Sequence, residues 1–175
     1  MARQQQKSVR RRGFSLIELV IVVVIIGIIA AIAIPRMSRG TAAAGDSAVS
    51  GNLTVLRNAI ELFATEHAGK FPETIGTAGT DTIDKQLTQY TDDNGGTSAS
   101  KDSTHVYGPY LRKIPPVTVG PVKSDNAKNN VIKVGTTDTP DTTPATGWLY
   151  NKSTGSIKAN VPSDTDASGK AYSDY

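Results

Sequence analysis

The sequence predicts an α+β fold: one long N-terminal helix, apolar all round in its first half and amphipathic in its second, packed on a small antiparallel sheet. Three observations predict it. Residues 14–34 form an apolar run whose only clearly polar members are Ser15 and Glu18. Val49, Leu53, Leu56, Ile60 and Phe63 then recur at steps of 4, 3, 4 and 3, the spacing of one helix face. Residues 147–150 and 156–161 flank a loop that contains Gly155, and together they read as a hairpin.

The head of the chain, residues 1–13, holds Arg3, Lys7, Arg10, Arg11 and Arg12 and no acid. Of 19 basic and 16 acidic residues in the whole chain, the remainder keeps 14 and 16, a net charge of −2. The overall +3 therefore belongs to the head, and with it the pI of about 9.1. A basic pI raises nucleic acid as a partner. Confined to a short head directly before an apolar run, the charge reads instead as an orientation signal, and no nucleic acid is expected.

The apolar run is 21 residues long, about 31 Å as a helix, which matches the hydrocarbon core of a bilayer. The basic flank keeps its N-terminal side in the cytoplasm. The remainder is then exported, with the chain anchored by a single pass. Three readings fit such a segment: a secretory signal peptide cut after Ala31-Ile32-Ala33, a plain anchor, or a filament subunit whose head is removed between Gly13 and Phe14. Glu18 discriminates between them. A carboxylate in an apolar run opposes membrane insertion by about 3 kcal/mol. A signal peptide or anchor gains nothing from it. A subunit that stacks on its own copies can pair it with the α-amino group created at Phe14, on a neighbour or on its own chain. One buried polar pair can fix register, as a buried Asn does in coiled coils.

The basic head, the junction Gly13-Phe14-Ser15-Leu16-Ile17-Glu18 and the apolar residues 19–34 before Pro35 resemble the type IV pilin and pseudopilin family. The resemblance implies a pilin-like fold. It implies that prepilin peptidase cuts after Gly13 and N-methylates Phe14, which keeps the cation. It also implies that Phe14 and Glu18 guide docking into a helical filament at the inner membrane, and that Pro35, with Gly27, lets the helix kink or locally melt during assembly. The implied partners are other copies of the chain, other pseudopilins, the peptidase, an inner-membrane assembly platform, and the bilayer before assembly.

Beyond Pro35 the helix is expected to continue to His67-Ala68-Gly69, with Gly69 as a left-handed C-cap and Pro72 as a stop. Residues 14–68 would make a rod about 80 Å long, whose first half a single chain cannot bury. The expected organisation is a cleaved leader at 1–13, an assembly helix at 14–34, an amphipathic half at 35–68 and a β-rich exported domain at 69–175.

In that last part Trp148, Tyr150, Ile157 and Val161 are expected to pack on the helix stripe from three or four short antiparallel strands. The texts around residues 56–72 and 107–116 resemble, more loosely, the major pseudopilin of type II secretion systems. The chain departs from that family after Pro115-Pro116, where it reads Val117-Thr118-Val119-Gly120 in place of an Asp-Pro-Trp-Gly-like turn. It also has no clear Asp-rich calcium loop. Asp164 and Asp166 are the nearest calcium candidates, in a tail whose composition favours a solvated chain, so no cofactor is expected.

Other chemistry is not visible. Cysteine is absent, which excludes disulfides and thiolate metal sites. His67 and His105 lack metal-ligand spacing and read as surface or cap residues. Asp92-Asp93-Asn94-Gly95-Gly96 lacks the later Glu of a calcium loop and reads as a turn. Asp81 and Asp84 read as turn or helix-start residues rather than an acid–base pair. No nucleophile or acid–base constellation points to an enzyme. The expected function is a structural subunit of a type II secretion pseudopilus. The alternatives are a type IV pilus subunit for adhesion, motility or DNA uptake, and a tethered binding module that never polymerises.

Overall fold

The computed structural model describes residues 13–80 and 82–175, without the side chains of residues 34–42. The chain divides into two compact units, Met1–Gly40 and Thr41–Tyr175. One helix, α1 (Leu16–Glu66), contributes to both. The expected leader lies outside the described residues except for Gly13. The expected kink at Pro35 also falls where side chains are outside the described residues. Gly27 stands in the helix with open space where a Cβ would be.

The first unit is rich in Val and Ile, which are mediocre helix formers in water. In lipid the balance changes, because every backbone polar group must be satisfied within the segment and a helix does this. Residues 16–29 are all exposed, and no residue of Leu16–Ala33 is buried.

At its other end α1 closes with a Schellman arrangement. The Gly69 N–H reaches back to the Ala64 carbonyl at 2.7 Å, and His67 N–H to Phe63 at 3.0 Å. The left-handed C′ position belongs to Ala68 (φ 56°), not to Gly69 as expected from sequence. Gly69 follows with its own positive φ of 80°, so the two-residue reversal needs the glycine one step later.

The second unit has a single core. The helix stripe Val49, Leu53, Leu56, Ile60 and Phe63 is buried, together with Trp148, Tyr150, Ile157 and Val161. Ile83, Leu87, Ile114 and Val117 complete the apolar cluster.

Three strands form the main sheet in the order β3-β4-β5: β3 (Ile132–Gly135), β4 (Trp148–Asn151) and β5 (Ser156–Ala159). β4 and β5 are an antiparallel hairpin with Tyr150 opposite Ile157. Gly155 turns the loop at φ 73°, and a Cβ there would lie 2.5 Å from the Phe71 ring. Any larger residue would be strained and would displace that ring.

β3 differs from the expected antiparallel neighbour: it pairs parallel to β4, with Ile132 opposite Trp148. The physical reason is the long connection, residues 136–147. A tight hairpin forces reversal, whereas roughly a dozen residues suffice to carry the chain back to the same end of the sheet.

Before the sheet come α2 (Ile83–Thr88) and a small antiparallel pair, β1 (Tyr90–Thr91) and β2 (Thr97–Ser98). The fully buried amide of Gln86 organises this region. Its Nε2 donates to the carbonyls of Ile75 and Gly95, both at 2.9 Å, and its Oε1 accepts the Glu73 N–H at 2.8 Å. Glu73 in turn accepts the Ile83 N–H at 2.8 Å, at the start of α2.

Candidate functional site

The assembly residues named from sequence sit at the head of α1. Gly13, Phe14 and Ser15 precede its first turn. Among the described residues, a Cβ added at Gly13 would meet nothing within 4 Å. Phe14 is 84% exposed.

Ser15 takes the N-cap position and Glu18 the third helical position. One oxygen of the Glu18 carboxylate accepts the Ser15 backbone N–H at 2.9 Å. The Ser15 carbonyl accepts the Leu19 N–H at 3.2 Å and opens the helix ladder. This is the Glu half of a capping box. Sequence reasoning gave Glu18 a pairing role and missed the cap, although the Ser-x-x-Glu spacing is its signal. The carboxylate is therefore already turned back toward the helix start, one residue from where an α-amino group at Phe14 would form. A negative charge there also complements the positive end of the helix dipole.

In the second unit, two buried aromatic side chains anchor the sheet. The Trp148 indole N–H donates to the Pro115 carbonyl at 2.7 Å, and the Tyr150 hydroxyl to the Pro72 carbonyl at 3.2 Å. Both aromatic anchors thus bury their rings while satisfying their polar tips. Burial, followed by the nearby Glu73 charge, pushes the Tyr150 hydroxyl pKa well above its usual value.

His67 is buried, not at the surface. Its Nδ1 lies 2.8 Å from the Phe63 carbonyl and its Nε2 2.9 Å from the Asp92 carbonyl, and its ring stacks on Phe63 at 3.9 Å. Both ring nitrogens are engaged with backbone, and the residue ties the end of α1 to the β1–β2 turn. In that turn the Asp92 carboxylate accepts the N–H groups of Asn94 and Gly96. His105 packs on Asp102 at 2.8 Å in an exposed loop. Three further donations, from the Thr104 and His105 N–H groups and the Thr104 hydroxyl, help hold the Asp102 pKa well below the usual carboxylate range; the His105 N–H is the largest cause. Asp84 lies in the first turn of α2, and Asp81 lies outside the described residues.

The C-terminal segment corrects the expectation of a solvated tail. An isolated bridge joins Thr165 to Ala171, and a 3-10 turn follows at Tyr172–Asp174. Asp46 on α1 accepts the Ala167 N–H at 3.1 Å and the Tyr172 hydroxyl. Arg57 on α1 donates to the carbonyls of Ile157 (3.2 Å) and Tyr175. The segment is a strap held by two helix residues about three turns apart, which single-letter composition does not reveal. One oxygen of Asp166 accepts the Ser168 N–H and hydroxyl and the Lys170 N–H, and the other accepts the Tyr175 hydroxyl. These donors, with the Ser168 hydroxyl foremost, hold the Asp166 pKa well below the usual carboxylate range. A carboxylate so engaged offers few lone pairs to a cation. Among the described residues no three His, Asp or Glu side chains converge as a metal centre requires.

Residues 9–34 match the family described as "Prokaryotic N-terminal methylation motif". The chain is 51% identical over 57 residues to "Type IV major pilin protein PilA" of Myxococcus xanthus, covering 33% of this chain and 26% of that protein. It is 35% identical over 97 residues to "Type IV major fimbrial protein FimA" of Dichelobacter nodosus, covering 55% of this chain and 62% of that one. The matches thus span less than two thirds of either relative. No solved structure matches the chain. The motif and the exposed apolar helix fit a single-pass membrane-anchored protein. The methylation motif thus lies across the head of α1, and the two relatives that the chain resembles are a major pilin and a major fimbrial protein.

Proposed function

We propose that the chain is a structural subunit of a helical filament assembled at the inner membrane after prepilin peptidase cuts behind Gly13 and methylates Phe14. The observation that carries this is the head of α1: an apolar stretch, Leu16–Ala33, with no buried residue, and a carboxylate at Glu18 turned toward the helix start. An exposed apolar surface of that size calls for lipid or other apolar helices as its cover. Before assembly the bilayer covers it, with the basic head on the cytoplasmic side and the second unit exported. On assembly, neighbouring helices replace the lipid. The Glu18 carboxylate then pairs with the Phe14 cation of an adjoining subunit, because in a low-dielectric seam neither charge is stable alone. The work is mechanical: each added subunit lengthens the filament.

A pilus is the filament type favoured by the names of the two relatives, a major pilin and a major fimbrial protein. The second reading is a type II secretion pseudopilus, favoured by the text of residues 107–116. Labelling the second unit with antibody and imaging intact cells separates them. Labelled filaments extending from the surface are expected for a pilus. Label confined beneath the outer boundary of the cell fits the pseudopilus and rejects the pilus. Label spread evenly over the membrane, with no filaments in either place, rejects both.

A further inference from the structure

Among the described residues of Thr41–Tyr175, four large apolar side chains are exposed: Val55 (47%), Leu62 (49%), Val106 (45%) and Val131 (40%). Val55 and Leu62 are seven residues apart on α1 and so share one face, two turns from each other and away from the buried stripe. Glu61 lies beside that face, about a quarter turn around α1 from Leu62, and its carboxylate has no partner among the described residues. Val131 belongs to a different place. It borders an open cleft of about 440 Å³, lined also by Asp84, Arg112, Lys113, Asn130 and Ile132. Arg112 and Lys113 are exposed and likewise unpaired among the described residues. Two cations against the single acid Asp84 leave the cleft net positive.

These are two unlike patches on one unit, an apolar helix face flanked by an unpaired acid and a net positive cleft bordered by Val131. A filament requires such a heterologous pair, since a patch that meets its own copy closes a dimer and stops growth. We infer that the outer face of α1 around Leu62 in one subunit seats in the Val131 cleft of the next, with Glu61 meeting Arg112 and Lys113. The inference rests on the filament reading above. The partner is therefore a second copy of this chain. The contact would fix register outside the apolar seam, where opposite charges select the correct neighbour and like charges reject others.

The chain contains no cysteine, so engineered thiols report on this contact without background from its own residues. Full-length chains carrying only Leu62→Cys and only Val131→Cys are produced together with an untagged and a tagged label, and their sheared filaments are oxidised. A mixed tagged–untagged disulfide dimer is expected, whereas either variant alone should remain monomeric. Filaments that yield no mixed dimer overturn the interface and leave the filament reading standing. A Val131→Cys cross-link to a protein of another mass overturns it by assigning the cleft a different occupant. If the unmodified chain forms no filament, both readings fall. Charge reversal gives an independent arm. Glu61→Lys alone and Arg112→Glu with Lys113→Glu should each lose filaments, and all three together should restore them. Absence of that restoration contradicts the pairing.

Discussion

The Glu18 carboxylate accepts the Ser15 backbone N–H at 2.9 Å, so the acid that opens the apolar helix is also its cap. Cap and charge can be separated by substitution. Glutamine serves the capping box as glutamate does, but carries no charge. Glu18→Gln should therefore be cleaved after Gly13 and keep its helix, yet fail to enter filaments. Glu18→Ala should lose both the cap and assembly. Filament yield and the mature N-terminus are read together. Normal filaments from Glu18→Gln would refute the pairing role and leave only the cap.

The second unit depends on the seam between α1 and the sheet. Leu53 is fully buried on the helix stripe, among the residues of the single core. Leu53→Ala should cost about 2–5 kcal/mol, through lost transfer energy and the cavity left behind. Thermal unfolding followed by Trp148 fluorescence would read this, since the indole lies in the same cluster. A loss below about 0.5 kcal/mol, the range of ordinary surface changes, would mean that the stripe does not carry the core.

The strap gives a local test. Asp46 accepts from both Ala167 and Tyr172, and Tyr172 is 6% exposed. Asp46→Ala leaves a nearly buried hydroxyl without its acceptor and should weaken the strap by about 1–3 kcal/mol. Lys170 is exposed within it, so limited trypsin digestion should cut there faster in the variant. Equal cleavage rates would show that Asp46 does not hold the segment.

Acid should act on the same strap through Asp166. Its folded pKa is depressed, chiefly by the Ser168 hydroxyl, then by the Tyr175 hydroxyl and the Lys170 N–H. A depressed carboxylate adds stability that is fully present above its unfolded pKa and lost as pH falls through the folded value. The strap should thus hold at neutral pH and loosen only below the ordinary carboxylate range, about pH 4. The Tyr175 hydroxyl, held by the same carboxylate, is correspondingly pushed up to about 12. Hydrogen exchange of the Lys170 amide against pH would show the transition, and Asp166→Asn should abolish it. A wild-type profile in Asp166→Asn would assign the acid response to another group.

Much of the helix was legible because its signals are periodic and local. The steps of 4 and 3 from Val49 to Phe63 mark residues that the fold buries. The hairpin showed itself through Gly155, whose positive φ the turn requires. Three features were not legible, each because it depends on distant partners. The parallel placement of β3 follows from how residues 136–147 cross over, which alternation along one strand does not encode. The burial of His67 depends on the Asp92 carbonyl, 25 residues away. The strap depends on Asp46 and Arg57, more than a hundred residues before the groups that they hold. At the head of α1 the junction was legible as a motif, whereas the cap required attention to the Ser15–Glu18 spacing as a helix start.

The central claim is that the working chain begins at Phe14 and lives in a filament. N-terminal sequencing with intact mass, on chains recovered from sheared filaments, tests it most directly. The expected result is N-methylated Phe14 as the first residue, with Ser15 to Glu18 following. Recovery of chains that retain Met1, or that begin at Ile34 after cleavage at the Ala31-Ile32-Ala33 site, would contradict it.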